Sequence, residues 1–314
     1  MTTVLITHPA FVAHDTGAGH PERPDRMRAI DAALNDTRFS QLLRREAPLR
    51  DDDASYIALA HRQRHLDEML ALARRVTGGH EHIDGDTVVS AGTWEAARRA
   101  VGAGLDAVDR VVGGEATNAF CQVRPPGHHA ESFRAMGFCL FNNVAIAAHY
   151  ARAKHGLERL AVVDFDVHHG NGTQEIFWSD KNLFYGSTHQ MPLFPGTGAL
   201  RETGVGNIFN APLRAGNGRE QFEEAFRDRI LGPLQNFSPD LVLISAGFDA
   251  HHRDPLGGLQ LTEDDFRWAT EALAAVARRH ANGRIVSMLE GGYDLTGLAQ
   301  SVAAHVDALI EAGA

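Results

Sequence analysis

Residues 161–173 read AVVDFDVHHGNGT, and the rest of the chain is best interpreted from this stretch outward. It begins as an apolar, β-branched run typical of a buried strand and ends in a cluster of carboxylates and imidazoles. Open α/β sheets bind ligands beyond the carboxyl ends of their strands, which is where this cluster lies. Carboxylate oxygen and imidazole nitrogen are also the ligands that zinc and similar divalent ions take. The stretch therefore predicts a metal site at the end of a buried strand.

The composition is that of an ordinary globular protein and excludes several classes of function. Of 314 residues, 44% are hydrophobic, and the net charge of −10 disfavours a nucleic-acid surface. Cys121 and Cys139 are too few for a disulfide framework, which favours a reducing compartment. The chain shows neither a signal-peptide pattern nor a run of about 20 apolar residues. We therefore expect a cytoplasmic protein that engages no membrane.

Strand-like apolar runs alternate with helical patterns along the whole chain. The clearest strand-like runs are residues 4–7, 118–123, 161–166, 182–188, 240–246 and 284–289. This alternation predicts an α/β protein with a mainly parallel sheet covered by helices on both faces. Because there is no internal repeat and no convincing linker, we expect residues 1–314 to form a single domain.

Three local expectations concern the first hundred residues. The periodicity predicts one helix over 24–43 and another over 61–76, with His61 and His65 on the surface of the second. The acidic and imidazole side chains of residues 80–86 resemble metal ligands in composition. They follow two glycines in a polar stretch, however, and we interpret them as a solvated turn.

Four polar motifs stand just beyond strand-like runs. They are RPPGHH at 124–129, DFDVHH at 164–169, AGFDAHH at 246–252 and LEGGYD at 289–294. Parallel strands put their carboxyl ends on one edge of the sheet, so we expect the four motifs to converge on one site.

Asp166, His168 and Asp249 are the predicted metal ligands. Asp166 and His168 are two positions apart, so at a strand end they point the same way, and Asp249 ends another buried strand. Three protein ligands leave a coordination position for water and substrate, as a catalytic site requires. We prefer zinc, although this oxygen-rich set also suits Fe(II) or Co(II).

His128 and His129 are predicted to act as general base and general acid, because they follow a rigid Pro-Pro-Gly turn near the metal. Each imidazole needs a partner on its second ring nitrogen, and Asp164 and Asn171 are the candidates. One candidate is charged and the other neutral, which should leave one histidine more basic than its neighbour.

Tyr293 and several aromatic residues are predicted to complete the site. Two glycines precede Tyr293 and let its phenol swing inward to donate to a developing oxyanion. Gly137, Phe138 and Phe194 are placed to line a narrow apolar channel for a linear alkyl chain. The alternative for these aromatics is an ordinary place in the core.

Together the motifs resemble the histone deacetylase family, including its bacterial deacetylase-like and acetylpolyamine amidohydrolase members. The matching segments, in the family's order from about His20 to Tyr293, are RPPGHHA, GFCLFNN, VVDFDVHHGNGTQ, FPGTG, AGFDAHHRDPLGG and LEGGYD. The resemblance implies the arginase/deacetylase α/β fold, with about eight strands in the central sheet. It implies hydrolysis of N-acetyl (acyl) lysine side chains to lysine and acetate. Asn171 looks like the class II pattern.

Carried over residue by residue, the resemblance implies the same zinc ligands, histidine pair and phenol as above, and an acyl-lysine channel walled by Phe138 and Phe194. It also implies structural potassium ions. One potassium site is implied at Asp164, Asp166, His168 and Ser187, and another at main-chain oxygens around Phe177, Asp180 and Leu183. Arg26 matches an arginine beside an internal product cavity.

A few positions help to choose among possible substrates and alternative functions. Leu256 stands where polyamine-selective relatives of one type carry an acid, which favours acetyl-lysine peptides or proteins over acetylpolyamines. A ureohydrolase with two manganese ions is excluded, because the bridging carboxylate is replaced by Gly170. A catalytically silent acyl-lysine-binding protein is the rival from another class, and the intact histidine pair and Tyr293 argue against it. Whether the protein forms a homo-oligomer stays open.

Overall fold

A parallel sheet organises the protein. The computed structural model describes residues 2–313, and the strands within that range are β1 (Thr3–Thr7), β2 (Leu43–Glu46), β3 (His80–His82), β4 (Val88–Ser90), β5 (Asn118–Cys121), β6 (Leu160–Asp164), β7 (Leu183–Gln190), β8 (Ile208–Leu213), β9 (Leu241–Ala246) and β10 (Ile285–Leu289). Eight of these described strands form the main sheet in the order β2-β1-β5-β10-β9-β6-β7-β8. All its neighbours are parallel, whereas β3 and β4 form a separate antiparallel hairpin. The predicted fold is confirmed.

Helices connect and cover the strands. They are α1 (Ala10–Ala13), α2 (Asp25–Leu34), α3 (Asp53–Ala60), α4 (Gln63–Arg75), α5 (Thr93–Val112), α6 (Asn143–His155), α7 (Asn171–Phe177), α8 (Arg219–Phe226), α9 (Gly232–Phe237), α10 (Glu263–His280) and α11 (Leu295–Gly313). A 3₁₀ turn spans Thr37–Phe39, and a π-helical segment, Arg227–Leu231, joins α8 to α9. No helix among the described residues is both long and apolar enough to cross a bilayer.

The central strands are buried on both faces. Every residue of β5, β6, β9 and β10 is buried, although successive side chains of a strand point to opposite faces. Helices therefore cover the sheet on both sides, with α5 and α6 packed together in one layer and α10 and α11 in another. The apolar core cluster runs from Val4 to Leu309. Each fully buried Val, Leu or Ile contributes about 1.5–3 kcal/mol relative to exposure. This core gives the sheet edge a rigid frame.

The edge strands β2 and β8 are missing from the sequence prediction, and the helix predicted over 24–43 is too long. Helix α2 ends at Leu34, and the Asp36 carboxylate then accepts a hydrogen bond from the Arg38 amide, which begins the 3₁₀ turn. Strand β2 reads LRRE and is largely exposed. Charged side chains are typical of sheet edges, where they discourage pairing with other chains, so β2 lacks the apolar run by which the central strands were found.

His61 and His65 are buried, so the prediction that they lie on the surface is wrong. His61 Nε2 accepts a hydrogen bond from the Asn142 amide at 2.8 Å, and His61 Nδ1 lies 3.0 Å from the Glu131 carbonyl oxygen. His65 Nε2 lies 2.8 Å from the Leu140 carbonyl oxygen. Both imidazoles therefore satisfy main-chain groups in loops beside the sheet edge, a role that helical periodicity does not report.

Candidate active site

The four motif-bearing strands are neighbours. In the order β5-β10-β9-β6 they lie side by side, so the segments that follow them meet at one carboxyl edge of the sheet. The predicted convergence of the four motifs is thus confirmed.

Asp166, His168 and Asp249, here called the metal-ligand cluster, each offer a ligand atom within 4.8 Å of the others. His168 Nδ1 lies 3.0 Å from Asp249 Oδ2 and 3.2 Å from Asp166 Oδ1. Main-chain amides fix both carboxylates, because Gly291 donates to Asp166 Oδ2 at 2.8 Å and Val167 donates to Asp249 Oδ1 at 2.7 Å. The structure therefore brings the predicted ligands together in a fixed arrangement.

Two glycines make room for this cluster. A Cβ atom on Gly247 would lie 2.0 Å from Asp166 Oδ2, and one on Gly291 would lie 2.3 Å from Asp249 Oδ2. Any side chain at either position would displace a carboxylate. Glycine is therefore required at positions 247 and 291, because the main chain there approaches the metal ligands too closely to allow a side chain.

The charge of the cluster fits a divalent cation. Asp166 and Asp249 are almost fully buried, and burial together with the neighbouring Asp166 charge raises the pKa of Asp249 to about 7. Buried carboxylates this close are costly unless a cation or a proton compensates them. Two carboxylates and one imidazole are a donor set that zinc accepts.

His128 and His129, here called the histidine pair, have the two predicted partners. His128 Nδ1 lies 3.0 Å from Asp164 Oδ2, and His129 Nδ1 lies 2.9 Å from Asn171 Oδ1. Burial lowers the pKa of His128, but the Asp166 and Asp164 carboxylates outweigh burial and raise it to about 10. Burial and the neighbouring His128 charge hold the pKa of His129 well below its ordinary value. The difference in basicity follows the prediction.

Glu290 holds the turn that carries the histidine pair, and sequence reasoning missed it. Its Oε2 atom accepts hydrogen bonds from the amides of Gly127 at 2.6 Å and His128 at 3.1 Å. The side chain is fully buried, and burial raises its pKa to about 7. The signal was present in the sequence as an acid at the end of a buried strand, inside the LEGGYD motif.

Tyr293 is nearly buried beside the metal-ligand cluster. Its amide donates to Asp254 Oδ2 at 2.6 Å, which anchors the turn. The guanidinium of Arg26 lies 5.1 Å from the centre of the Tyr293 ring and donates from Nε to the Gly292 carbonyl oxygen at 2.6 Å. Burial and the nearby Asp249 charge keep the pKa of Tyr293 well above its ordinary value, so the phenol retains its proton.

A cavity of about 370 Å³ joins these groups. Among its lining residues are His129, His168, Tyr293, the predicted channel residues Gly137, Phe138 and Phe194, and Leu256, the position that bears on substrate choice. The Phe194 ring lies 5.1 Å from the His129 ring, and the Phe138 ring lies 5.8 Å from the Tyr293 ring. Phe194 is 42% exposed, which excludes the core alternative for it.

The segment 80–86 is more than a solvated turn. Its residues form the β3–β4 hairpin with Val88–Ser90, and His82, Gly85 and Asp86 line the cavity. The His20 imidazole lies 2.9 Å from the Asp86 carbonyl oxygen, which ties the hairpin to the loop between α1 and α2. Composition alone could not show that this polar hairpin folds over the sheet edge.

The first potassium site implied by the resemblance keeps its oxygen donors. Asp164 lies opposite Ser187 in the pairing of β6 with β7, and the side chains of both are buried. Asp166 and His168 follow directly on the same segment. Buried carboxylate and hydroxyl oxygens are donors that suit such a cation.

A side-chain amide lies at the second potassium site implied by the resemblance. The main-chain oxygens of Phe177, Asp180 and Leu183 converge, as the resemblance implies, but they converge on the side-chain amide of Asn207. Its Nδ2 atom donates to them at 2.9, 3.1 and 2.7 Å, respectively. Its Oδ1 atom accepts from the Val205 amide, which fixes the orientation. The amide nitrogen thus stands where a cation would collect these carbonyl oxygens.

Neither Gly170 nor His169 contributes a ligand to the metal-ligand cluster. A Cβ atom on Gly170 would lie 2.4 Å from Asp164 Oδ2 and 2.6 Å from the Tyr185 hydroxyl, so this position admits no carboxylate for a second metal. His169 Nδ1 lies 2.7 Å from Thr197 Oγ1, which directs the ring away from the metal-ligand cluster.

Several known proteins similar to this chain are described as histone deacetylases or as histone deacetylase-like. The family model of the histone deacetylase domain matches residues 20–309. Histone deacetylase 10, chloroplastic, of Oryza sativa subsp. japonica is 41% identical over 96% of this chain and 71% of its own. The histone deacetylase-like amidohydrolase of Pseudomonas aeruginosa is 38% identical over 90% of this chain and 75% of its own. Among solved structures, the HDA15 HD domain matches with a TM-score of 0.92 and 35% identity, covering 99% of this chain and 88% of that chain.

Proposed function

The chain belongs to the histone deacetylase family, and on that premise we propose that it is a zinc-dependent deacetylase of N-acetyl-lysine side chains. Family membership itself supports hydrolase activity. The observation that carries the finer proposal is that His168 of the metal-ligand cluster, His129 of the histidine pair and the phenol of Tyr293 line one cavity. We also propose that the whole chain acts as one catalytic domain, since its core is continuous.

The metal-ligand cluster would hold zinc through two carboxylates and one imidazole. When bound, zinc polarises the substrate carbonyl and acidifies a coordinated water. Fe(II) and Co(II) are compatible with the same ligands. The fixed carboxylates and the glycines behind them support this assignment.

The histidine pair divides the proton transfers. His129, whose partner Asn171 is neutral, stays unprotonated, so its Nε2 atom can accept a proton from the water that attacks the carbonyl carbon. The same proton passes to the nitrogen of the leaving lysine as the C–N bond breaks. His128, whose pKa is raised by the Asp166 and Asp164 carboxylates, would carry a proton and stabilise the negative charge that develops beside it.

Tyr293 stabilises the developing oxyanion by donating its phenolic hydrogen. Its retained proton and its position in the cavity lining support this role. Phe138 and Phe194 enclose the methylene groups of the acyl-lysine side chain and exclude water from the reacting amide.

The substrate is proposed to be acetyl-lysine in a peptide or protein. Leu256 in the cavity lining supplies no charge for a second ammonium group, and the net charge of −10 suits cationic partners. Acetylpolyamine hydrolysis by the same chemistry is the second candidate, because one relative is described as an amidohydrolase rather than a lysine deacetylase.

A side-by-side assay tests the proposal. Zinc-loaded protein is given acetyl-lysine peptides and acetylpolyamines, and we expect higher kcat/KM on the peptides. Higher kcat/KM on acetylpolyamines would reverse the assignment of substrate. Binding of both without turnover of either would establish the silent binding protein instead. Metal analysis of the same preparation identifies the ion.

A further inference from the structure

We propose that Glu131 is a positioning residue that sets the tautomer of His129 by orienting the side-chain amide of Asn171. The proposal deepens the proposed function and rests on it, since it concerns the proton-accepting nitrogen of His129. Glu131 stands two positions after His129 and contacts no atom of the metal-ligand cluster in the contacts described above. Its influence is transmitted through Asn171.

The contacts form a chain of three side chains. Glu131 Oε1 accepts a hydrogen bond from Asn171 Nδ2 at 2.8 Å. On its other side, Asn171 Oδ1 lies 2.9 Å from His129 Nδ1. Asn171 is 4% exposed, so water does not compete for its amide, and the Glu131 side chain is 13% exposed.

The chemistry of these groups allows one arrangement. An ionised carboxylate only accepts hydrogen bonds, so the NH₂ group of Asn171 must face Glu131. The amide oxygen is then left facing His129, where it requires a hydrogen on Nδ1. The neutral imidazole carries one hydrogen, so Nε2 keeps its lone pair. That lone pair is what a general base needs.

Rotation of the amide by half a turn would reverse the outcome. The amide oxygen would then face the Glu131 carboxylate, and the NH₂ group would face His129 Nδ1. The second contact requires a lone pair on Nδ1 and moves the imidazole hydrogen to Nε2, which can no longer accept a proton. In serine-protease triads, a wrong histidine tautomer lowers kcat by about 10⁴-fold.

Glu131 is itself held in place from the opposite side. Arg134 donates from Nε to Glu131 Oε2 at 2.9 Å and from Nη2 to Glu131 Oε1 at 3.3 Å, and the Glu131 amide donates to the Arg134 carbonyl oxygen at 3.1 Å. The Glu131 carbonyl oxygen accepts from Nδ1 of the buried His61, whose Nε2 already accepts from Asn142. The carboxylate therefore presents Oε1 to Asn171 from a fixed main chain.

The first experiment reads the tautomer directly. Imidazole ¹⁵N NMR spectra of the zinc-loaded protein are recorded for wild type, Glu131→Gln and Glu131→Lys, with His129→Gln used to assign the signals. We expect a hydrogen on Nδ1 in wild type and in Glu131→Gln, whose amide oxygen still accepts. In Glu131→Lys the new side chain only donates, and we expect the hydrogen on Nε2.

The second experiment measures rescue. Glu131→Lys should lower kcat by about 100-fold with KM changed less than about threefold, because a second partner of a catalytic group is removed while the channel is kept. Asn171→Asp alone places two carboxylates side by side and is also impaired. The double variant restores a donor facing an acceptor, so it should be more active than either single variant. Glu115→Lys is the matched control, since it makes the same charge reversal at a 68% exposed side chain that pairs with Arg110 and does not line the cavity, and we expect nearly unchanged kcat.

The outcomes separate this proposal from the proposed function. If the protein hydrolyses no acyl substrate but the NMR tautomer still switches in Glu131→Lys, the role of Glu131 stands and the deacetylase assignment falls. If the protein is an active deacetylase and Glu131→Lys keeps both the Nδ1 hydrogen and its kcat, the role of Glu131 is overturned. A folded Glu131→Lys variant is verified by a melting temperature close to that of wild type.

Discussion

The Nδ1 atom of His128 lies 3.0 Å from Oδ2 of the fully buried carboxylate of Asp164. This contact gives His128 a charged partner, whereas the adjacent His129 has a neutral one. The pKa values of these two neighbouring imidazoles move in opposite directions: the Asp166 and Asp164 carboxylates raise that of His128, whereas burial and the His128 charge lower that of His129. In the mechanism that we propose, the difference would let one histidine hold positive charge while the other moves a proton.

Replacing Asp164 with Asn tests this division. The variant keeps the size of the side chain but removes its charge, so His128 loses one of the two carboxylates that raise its pKa, the other being Asp166. We expect kcat to fall by about 10–100-fold, as for other partners that support a catalytic group. Steady-state kinetics measure the loss, and the zinc content of the same sample shows whether the metal site is intact. Unchanged kcat would show that the charge on His128 is not used.

His129→Ala and Tyr293→Phe should retain zinc and lose nearly all turnover. His129→Ala removes the proton acceptor, which contributes about 10²–10⁴-fold. Tyr293→Phe removes a donor to the developing oxyanion, which contributes about 10²–10³-fold. Single-turnover assays together with metal analysis measure both effects. Full activity in either variant would remove that residue from the mechanism.

Gly291→Ala should weaken the metal site without touching a ligand. The added Cβ would lie 2.3 Å from Asp249 Oδ2, so the carboxylate must move. We expect metal affinity to fall by about 10–100-fold, measured by zinc retention during dialysis against a competing chelator. Gly232→Ala is the matched control, because a Cβ there meets no atom within 4 Å. Equal zinc retention in both variants would show that glycine at position 291 is not needed to make room for the metal ligands.

Asn207→Ala should destabilise the protein by removing the donor shared by three main-chain oxygens. The carbonyl oxygens of Phe177 and Asp180 keep main-chain donors at 3.1 and 3.0 Å, so the loss is that of the Asn207 hydrogen bonds, about 0.5–1.5 kcal/mol each. The vacated space also admits a cation, so we expect potassium chloride to recover part of the free energy of unfolding, and choline chloride not to. Denaturant unfolding of wild type and variant in the two salts measures both effects. A variant as stable as wild type in choline chloride would contradict the prediction.

His305 should make stability depend on pH. It is buried between the Thr270 hydroxyl at 2.6 Å and the Ser287 hydroxyl at 2.8 Å, and burial lowers its pKa to about 3. The unfolded histidine titrates near about 6.5. Between these values the unfolded state binds the extra proton, so stability is present above about pH 6.5 and is lost as pH falls toward 3.

His305→Gln measures this contribution. The slope of unfolding free energy against pH should be smaller in the variant by up to about 1.4 kcal/mol per pH unit below pH 6. The comparison of slopes separates His305 from other buried histidines, which remain in both proteins. Identical slopes would show that His305 is not neutral in the folded state.

Much of the site could be predicted because the residues that define its chemistry lie close together in short sequence motifs. Asp166 and His168 stand two positions apart at the end of an apolar strand, and Tyr293 follows two glycines in the same kind of place. The contacts of Glu131 and Asn207 could not be predicted, because nothing in their own segments shows which distant groups they contact. The place of the β3–β4 hairpin beside the cavity could not be predicted for the same reason, since its residues line the cavity only after the chain has folded over the sheet edge.

The sequence by itself determined the alternation of strands and helices, the residue types at each strand end, and hence the metal and acid–base chemistry that the chain offers. These properties depend on side chains a few positions apart. Only the tertiary structure decided that β5, β10, β9 and β6 are neighbours, that His61 and Glu131 are withdrawn from water, and that the Asn207 amide fills a ring of carbonyl oxygens. Strand order, burial and hydrogen-bond partners depend on packing between segments far apart in the chain, which no local pattern encodes.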